Sequence, residues 1–149
     1  MTKNILAVGA HFDDIELGCG GSIAKHAIEG DNVYAYVATV SGFSNPYSKS
    51  IRKNSIAKKE GKAAMNVLGI KKLYTGNFET LKVEFNEKLN VEILRIIEKN
   101  KIDQIYSHWT GDIHHDHKAV GNAALHSGRH VKNILLYRSN WYHSTDLFN

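Results

Sequence analysis

Ile5-Leu6-Ala7-Val8-Gly9-Ala10-His11-Phe12-Asp13-Asp14-Ile15-Glu16 decides how the rest of the chain is read. Six apolar residues run from Ile5 to Ala10 without a charge, as a strand covered on both faces should. The run then stops at an imidazole and three carboxylates, His11, Asp13, Asp14 and Glu16. Ligands of open α/β sheets bind at the carboxyl ends of such strands. Four further runs rich in β-branched and aromatic residues, Asn32 to Val40, Lys72 to Thr75, Asp103 to His108 and Ile134 to Tyr137, also predict strands.

Between these runs the apolar spacing changes to a helical period. One helix is predicted from about Gly21 to Glu29, closed by Gly30, which suits a left-handed cap. A second places Ile56, Glu60, Ala63, Ala64, Val67 and Leu68 on one face and ends at Gly69. A third begins after Asn86, a good N-cap, and turns Leu89, Ile93, Ile96 and Ile97 inward. A fourth runs from about His117 to His126 and stops before Gly128. This alternation predicts an α/β, three-layer Rossmann-like fold, a mostly parallel sheet in the order 3-2-1-4-5 with helices on both faces. Strands one and four then lie side by side where the winding direction reverses, and the ligand crevice opens at their carboxyl ends.

At 149 residues, with 42% hydrophobic and 23% charged residues, the chain has the profile of a single globular domain over 1–149 with a full core. The first apolar run is too short for a secretory signal or a membrane span, so a cytoplasmic protein with no integral membrane segment is expected. The one cysteine, Cys19, excludes an internal disulfide and a thiolate-rich zinc site, and a small buried filler is its expected role. The formal net charge of +4 comes from lysines spread along the chain, among them Lys58, Lys59 and Lys62 on the second helix. Nucleic-acid binders concentrate such charge among aromatics, so a solvated helix face is the plainer reading and no nucleic-acid partner is expected.

The fourth strand leads into His108-Trp109-Thr110-Gly111-Asp112-Ile113-His114-His115-Asp116-His117. With strands one and four adjacent, the imidazole and carboxylates after the first meet these imidazoles on one rim. Two imidazoles and one carboxylate with a vacant fourth position make a hydrolytic zinc arrangement, because nitrogen and oxygen donors suit the ion and the vacancy admits water. Asp13 and Asp14 can divide the labour, one binding metal and the other accepting a proton from water. His114, three residues before His117, is placed to stabilise the oxyanion of a substrate carbonyl. Asp116 is placed to fix the charge or orientation of an imidazole, and His108 to support the site from the strand end. Gly18-Cys19-Gly20-Gly21 has the look of a dinucleotide loop, but it lies far past the strand and the acidic pair would repel a pyrophosphate, so a packing role is expected. His26, His126, His130 and His143 are expected in solvent or in local hydrogen bonds, and His115 is expected to point away if His114 and His117 converge.

Taken together, Ala10-His11-Phe12-Asp13-Asp14 with Leu17-Gly18-Cys19-Gly20-Gly21, and the stretch Ser107 to Gly121, resemble the two signature motifs of the LmbE/PIG-L family of zinc-dependent N-acetylglucosaminyl deacetylases. The likeness includes Ala63-Ala64 and Leu68-Gly69 and spans most of the chain. It implies that His11, Asp14 and His117 hold zinc or another divalent metal, that Asp13 is the general base and later acid, and that His114 stabilises the oxyanion. It implies a small amino-sugar or glycoconjugate substrate deacetylated at nitrogen, and it is compatible with a homo-oligomer. The chain departs from the pattern at Phe12, where the family has Pro, and at Ala57, where an arginine is common. Arg52 is the candidate to replace that arginine as a substrate contact, and Glu79 stands near a common substrate-binding Asp. The family usually continues well past a segment like Leu136 to His143, so a truncated protein or a fragment with its metal site intact is expected.

Two other readings compete, a non-catalytic domain that keeps metal and fold, and a nucleotide-binding domain working through the glycine segment. Tyr47, Trp109, Trp141 and Tyr142 are candidates to stack on a sugar ring, with core packing or a subunit contact as the alternative.

Overall fold

Alternation along β1 (Asn4–Gly9) builds both halves of the interior. Leu6 and Val8 enter one core with Tyr36, Ile105, Leu89, Ile93 and Val120, while Ile5 and Ala7 enter the other with Val33, Ala35, Ile15, Ile23 and Met65. Successive strand side chains point to opposite faces, so one buried strand serves two layers of helices. The computed structural model describes residues 2–138. Along them follow α1 (Asp14–Ile28), β2 (Asn32–Thr39), β3 (Phe43–Ser44), β4 (Ser50–Arg52), α2 (Asn54–Val67), β5 (Lys72–Phe78), α3 (Glu87–Asn100), β6 (Gln104–His108), α4 (His115–Ser127) and β7 (Asn133–Tyr137).

The main sheet has the order β5-β2-β1-β6-β7, every pairing parallel, which is the expected 3-2-1-4-5. Residues of α3 and α4 pack into the first core and residues of α1 and α2 into the second. Asn86 caps α3 as expected, its Oδ1 accepting the Leu89 N–H at 3.0 Å. Pairing of Ile5 with Gln104 and Ala7 with Tyr106 sets the carboxyl ends of β1 and β6 side by side. Gly121 lets α4 lie close over β6, since a Cβ there would stand 2.6 Å from the His108 carbonyl oxygen. The two catalytic-looking loops therefore leave one rim.

Two expectations are corrected. The first helix begins at Asp14, not near Gly21, so the glycine segment lies inside α1. Its amides belong to the helix ladder and offer no phosphate cradle. Gly18 has the expected packing role, because a Cβ there would lie 2.2 Å from the Tyr137 ring. The buried face of α2 is Ala57, Gly61 and Met65, whereas Ile56 and Val67 are exposed. Small residues make that interface, and Gly61 receives the Phe12 ring. The outer strands β5 and β7 are only partly covered, as befits sheet edges. The hairpin β3–β4, which is not among the five expected strands, follows β2, and its few residues carry no alternation to reveal it.

No helix among the described residues is long and apolar enough to cross a membrane. Trp141, Tyr142 and His143 lie outside the described residues.

Candidate metal centre

Asp14 sits at the first turn of α1, where its Oδ2 accepts the N–H groups of Ala10 at 2.9 Å and His11 at 2.7 Å. These bonds fold the end of β1 back on the helix start and fix the carboxylate. His108 Nε2, fully buried at the end of β6, stands 3.0 Å from the same oxygen. His117, in the first turn of α4, brings Nε2 to 3.2 Å from Asp14 Oδ1 and to 3.3 Å from His11 Nδ1. His11 Nδ1 is 3.4 Å from Asp14 Oδ2. Donors on a tetrahedral zinc at about 2.0–2.1 Å lie roughly 3.3–3.4 Å from one another, so each pair spacing fits the ion, Asp14 facing His11 through Oδ2 and His117 through Oδ1.

Both imidazoles are held from behind. His11 Nε2 meets Asp116 Oδ2 at 2.8 Å, and His117 Nδ1 meets Asp112 Oδ2 at 3.0 Å. A ring nitrogen that donates to a carboxylate leaves the other nitrogen as a lone-pair donor, the usual support of a metal-ligating histidine. Asp116 is fully buried and also accepts the N–H groups of Leu81 at 2.7 Å and Val83 at 3.0 Å, which ties the segment after β5 to the site. Asp112, five residues before His117, is a supporting carboxylate outside the expected site residues. Backbone donors such as Leu81 leave no side-chain signal at all.

Electrostatics follow from this packing. Burial disfavours charge on His11, but the hydrogen bonds to Asp116 and Asp14 outweigh it and raise the imidazole to about 9. Burial likewise opposes ionisation of Asp14, yet His108, His11 and His117 hold its carboxyl well below the usual range. His117 is raised, burial being overcome by Asp14 and Asp112. Burial and the neighbouring His117 and His11 push His114 down to about 4, so its ring is neutral at pH 7. As N-cap of α4 it accepts the Asp116 N–H on Nδ1 at 3.2 Å, which leaves the ring's proton on Nε2.

Asp13 makes no capping bond, and its backbone stands at φ 140, a region that favours glycine. Its side chain lies open on the cavity wall, yet partial enclosure and the charge of Asp14 raise its carboxyl above the ordinary value. Strain of this kind costs about 1–3 kcal/mol and gathers at functional sites. An Asp13→Gly variant is therefore expected to be more stable than the parent by about 1 kcal/mol in chemical denaturation, the relief exceeding glycine's added chain entropy. A loss of stability would show that the backbone there is unstrained.

A cavity of about 410 Å³ opens over the cluster, within the ordinary range for small-molecule sites. His11, Asp13, Asp14, His114 and His117 line it together with Ser41, Arg52, Thr80 and Tyr137. Phe12, at the proline position, keeps an N–H, which Ser41 Oγ accepts at 2.8 Å, so the loop is fixed by a bond instead of a ring. Arg52 reaches the cavity and pairs with Glu60 at 3.0 Å. Glu79 does not line it; it borders a neighbouring cavity of about 710 Å³ and pairs with Lys82. His115, His126 and His130 are exposed, and His26 is bonded to Asp31 at 2.7 Å and Tyr106 at 3.0 Å. Cys19 is buried, which pushes its thiol up to about 12. Tyr47 is 90% exposed at the hairpin tip, and Trp109 packs on Gly111.

The model of the PIG-L family, described as GlcNAc-PI de-N-acetylase, matches residues 6–127, both catalytic-looking loops included. The chain belongs to the PIG-L family. YaiS of Escherichia coli K12, described as an uncharacterized deacetylase, is 33% identical over 143 residues, covering 92% of this chain and 74% of that protein. The diacetylchitobiose deacetylase of Thermococcus kodakarensis is 26% identical over 102 residues, 66% of this chain and 38% of that protein. Among solved structures, the N,N'-diacetylchitobiose deacetylase of Pyrococcus horikoshii superimposes with a TM-score of 0.82 at 22% identity, covering 97% of this chain and 65% of that one. That likeness carries the fold, and the PIG-L chain spans only part of each of these proteins.

Proposed function

We propose that this PIG-L chain is a metal-dependent hydrolase that frees acetate from the nitrogen of an N-acetylglucosamine-type sugar or glycoconjugate. The observation that carries the reading is the meeting of His11 Nδ1, His117 Nε2 and the Asp14 carboxylate within 3.4 Å of one another, each imidazole backed by its own carboxylate. Two nitrogens and one oxygen with room for water make zinc the preferred ion. When bound, the metal supplies a Lewis acid that polarises the amide carbonyl and acidifies water beside it.

The protein's own groups do the rest. Asp13 takes a proton from water as the water oxygen attacks the carbonyl carbon, and returns it to the nitrogen as the C–N bond breaks. Its raised carboxyl is a stronger base than an ordinary aspartate. His114 donates its Nε2 proton in a hydrogen bond to the carbonyl oxygen as negative charge gathers there. Arg52 contacts the substrate from the cavity wall, and Glu79 is reached only by a substrate long enough to enter the second cavity.

The raised imidazole of His11 gives the pH dependence its sign. In the metal-free protein its protonation stabilises the fold fully below about 6.5, and that contribution is lost as pH rises through about 9. Metal must displace this proton, so affinity rises with pH, about tenfold per unit for one proton, up to about 9. Zinc competition with a chelator from about pH 6.5 to about 8.5 checks this, and a pH-independent affinity would contradict it.

The function itself is tested by measuring acetate release from a panel of N-acetylated amino sugars with bound metal quantified in the same sample. Acetate that scales with metal content supports the reading. Full metal occupancy with no acetate from any member would favour the non-catalytic domain.

A further inference from the structure

The strand order β5-β2-β1-β6-β7 puts His11, Asp14 and His117, which follow β1 and β6, at the middle of the rim, and the cavity wall beside them divides into two sides. Toward β2 and β5 it carries the polar groups of Ser41, Ser44, Arg52 and Thr80. The last three also border the second cavity of about 710 Å³, so there is further room on that side. Toward β7 the wall is made by Leu17 and Gly18 of α1 and by Tyr137, none of which borders the second cavity. Tyr137 is only 7% exposed, and its hydroxyl donates to the Val8 carbonyl oxygen at 2.8 Å. Its ring centre stands 4.8 Å from that of His108, and the ring lies so close to Gly18 that a Cβ there would overlap it. A ring held on three sides cannot swing away without giving up both the bond and its packing.

An N-acylated sugar carries a bulky polar arm on one side of its carbonyl carbon and a small apolar arm on the other. With the carbonyl at the metal centre, the polar arm suits the roomy side toward β2 and β5, and the acyl carbons then meet Leu17, Gly18 and Tyr137. We propose that Tyr137 is a specificity-determining residue whose fixed ring sets the length of the acyl group removed, so that acetyl fits and each further methylene runs into the ring. This rests on the hydrolase reading above.

The test uses the zinc-loaded full chain with N-acetyl-, N-propionyl- and N-butyrylglucosamine, whose common product, glucosamine, gives one assay for all three. Binding of acetate, propionate and butyrate, the acids that cleavage frees, is followed in parallel by NMR titration. In the parent, kcat/KM is expected to fall about tenfold per added methylene, and affinity for the acids to fall in the same order. Tyr137→Phe keeps the ring and should keep this discrimination. Tyr137→Val should bring N-butyrylglucosamine to within about threefold of the acetyl compound. Because that variant empties a packed position, Leu17→Ala, at a half-exposed site on α1, is made beside it and should cut the butyryl penalty to about tenfold. A parent that handles butyryl sugar and butyrate as well as their acetyl counterparts would overturn the proposal. So would a discrimination left intact by Leu17→Ala and by any folded Tyr137→Val, or one lost in Tyr137→Phe. No glucosamine from any of the three sugars, with the acids still ranked by length in the parent and levelled in the variants, would instead strike the hydrolase reading and leave the role of Tyr137 standing.

Discussion

An Asp13→Asn variant is expected to keep its metal and its fold while losing about 10³-fold in kcat, within the usual range for removal of a general acid–base. Asparagine matches the side chain in size and is strained by the φ of 140 no more than the aspartate it replaces, so the backbone has no new reason to move. What it loses is the basic oxygen. Asp14 cannot take over, because His108, His11 and His117 hold its carboxyl well below the usual range and both its oxygens are engaged. Metal content by mass spectrometry and acetate release should be read on one preparation. More than about a tenth of parental turnover at full metal occupancy would remove Asp13 from the proton transfers.

Asp116→Ala is expected to do the widest damage. The carboxylate is fully buried, and its loss strands the N–H groups of Leu81 and Val83 together with Nε2 of His11. Breaking one partner of such a buried charged network costs about 3–5 kcal/mol. For a chain of this length that is a fall in melting temperature of about 10 °C or more. Metal affinity should drop about 10–100-fold as His11 loses its orientation. The melting measurement belongs on metal-free protein, which separates folding from binding. An unchanged melting temperature there would mean that water or another group replaces the carboxylate at little cost.

Much of this site was legible because two apolar strands end abruptly in ionisable residues and the alternation of elements makes those strands neighbours. Ile5 to Ala10 and Asp103 to His108 needed no more than buried-strand composition to be found. The start of α1 was misplaced because glycines at 18, 20 and 21 weaken a helix locally, while close packing of Gly18 on Tyr137 makes a small residue necessary there. The face of α2 was misjudged for a related reason. Ala57 and Gly61 bury no large side chain of their own but admit Phe12, and hydropathy alone favoured the exposed Ile56 and Val67. The link from Asp116 to the N–H groups of Leu81 and Val83 depends on the path of the chain after β5, which no side-chain pattern encodes.

Anomalous diffraction at the zinc edge from crystals of the loaded protein tests the metal centre most directly. A single strong peak within about 2.0–2.2 Å of His11 Nδ1, His117 Nε2 and a carboxylate oxygen of Asp14 is predicted. A peak elsewhere, or one whose ligands omit Asp14, would contradict the account.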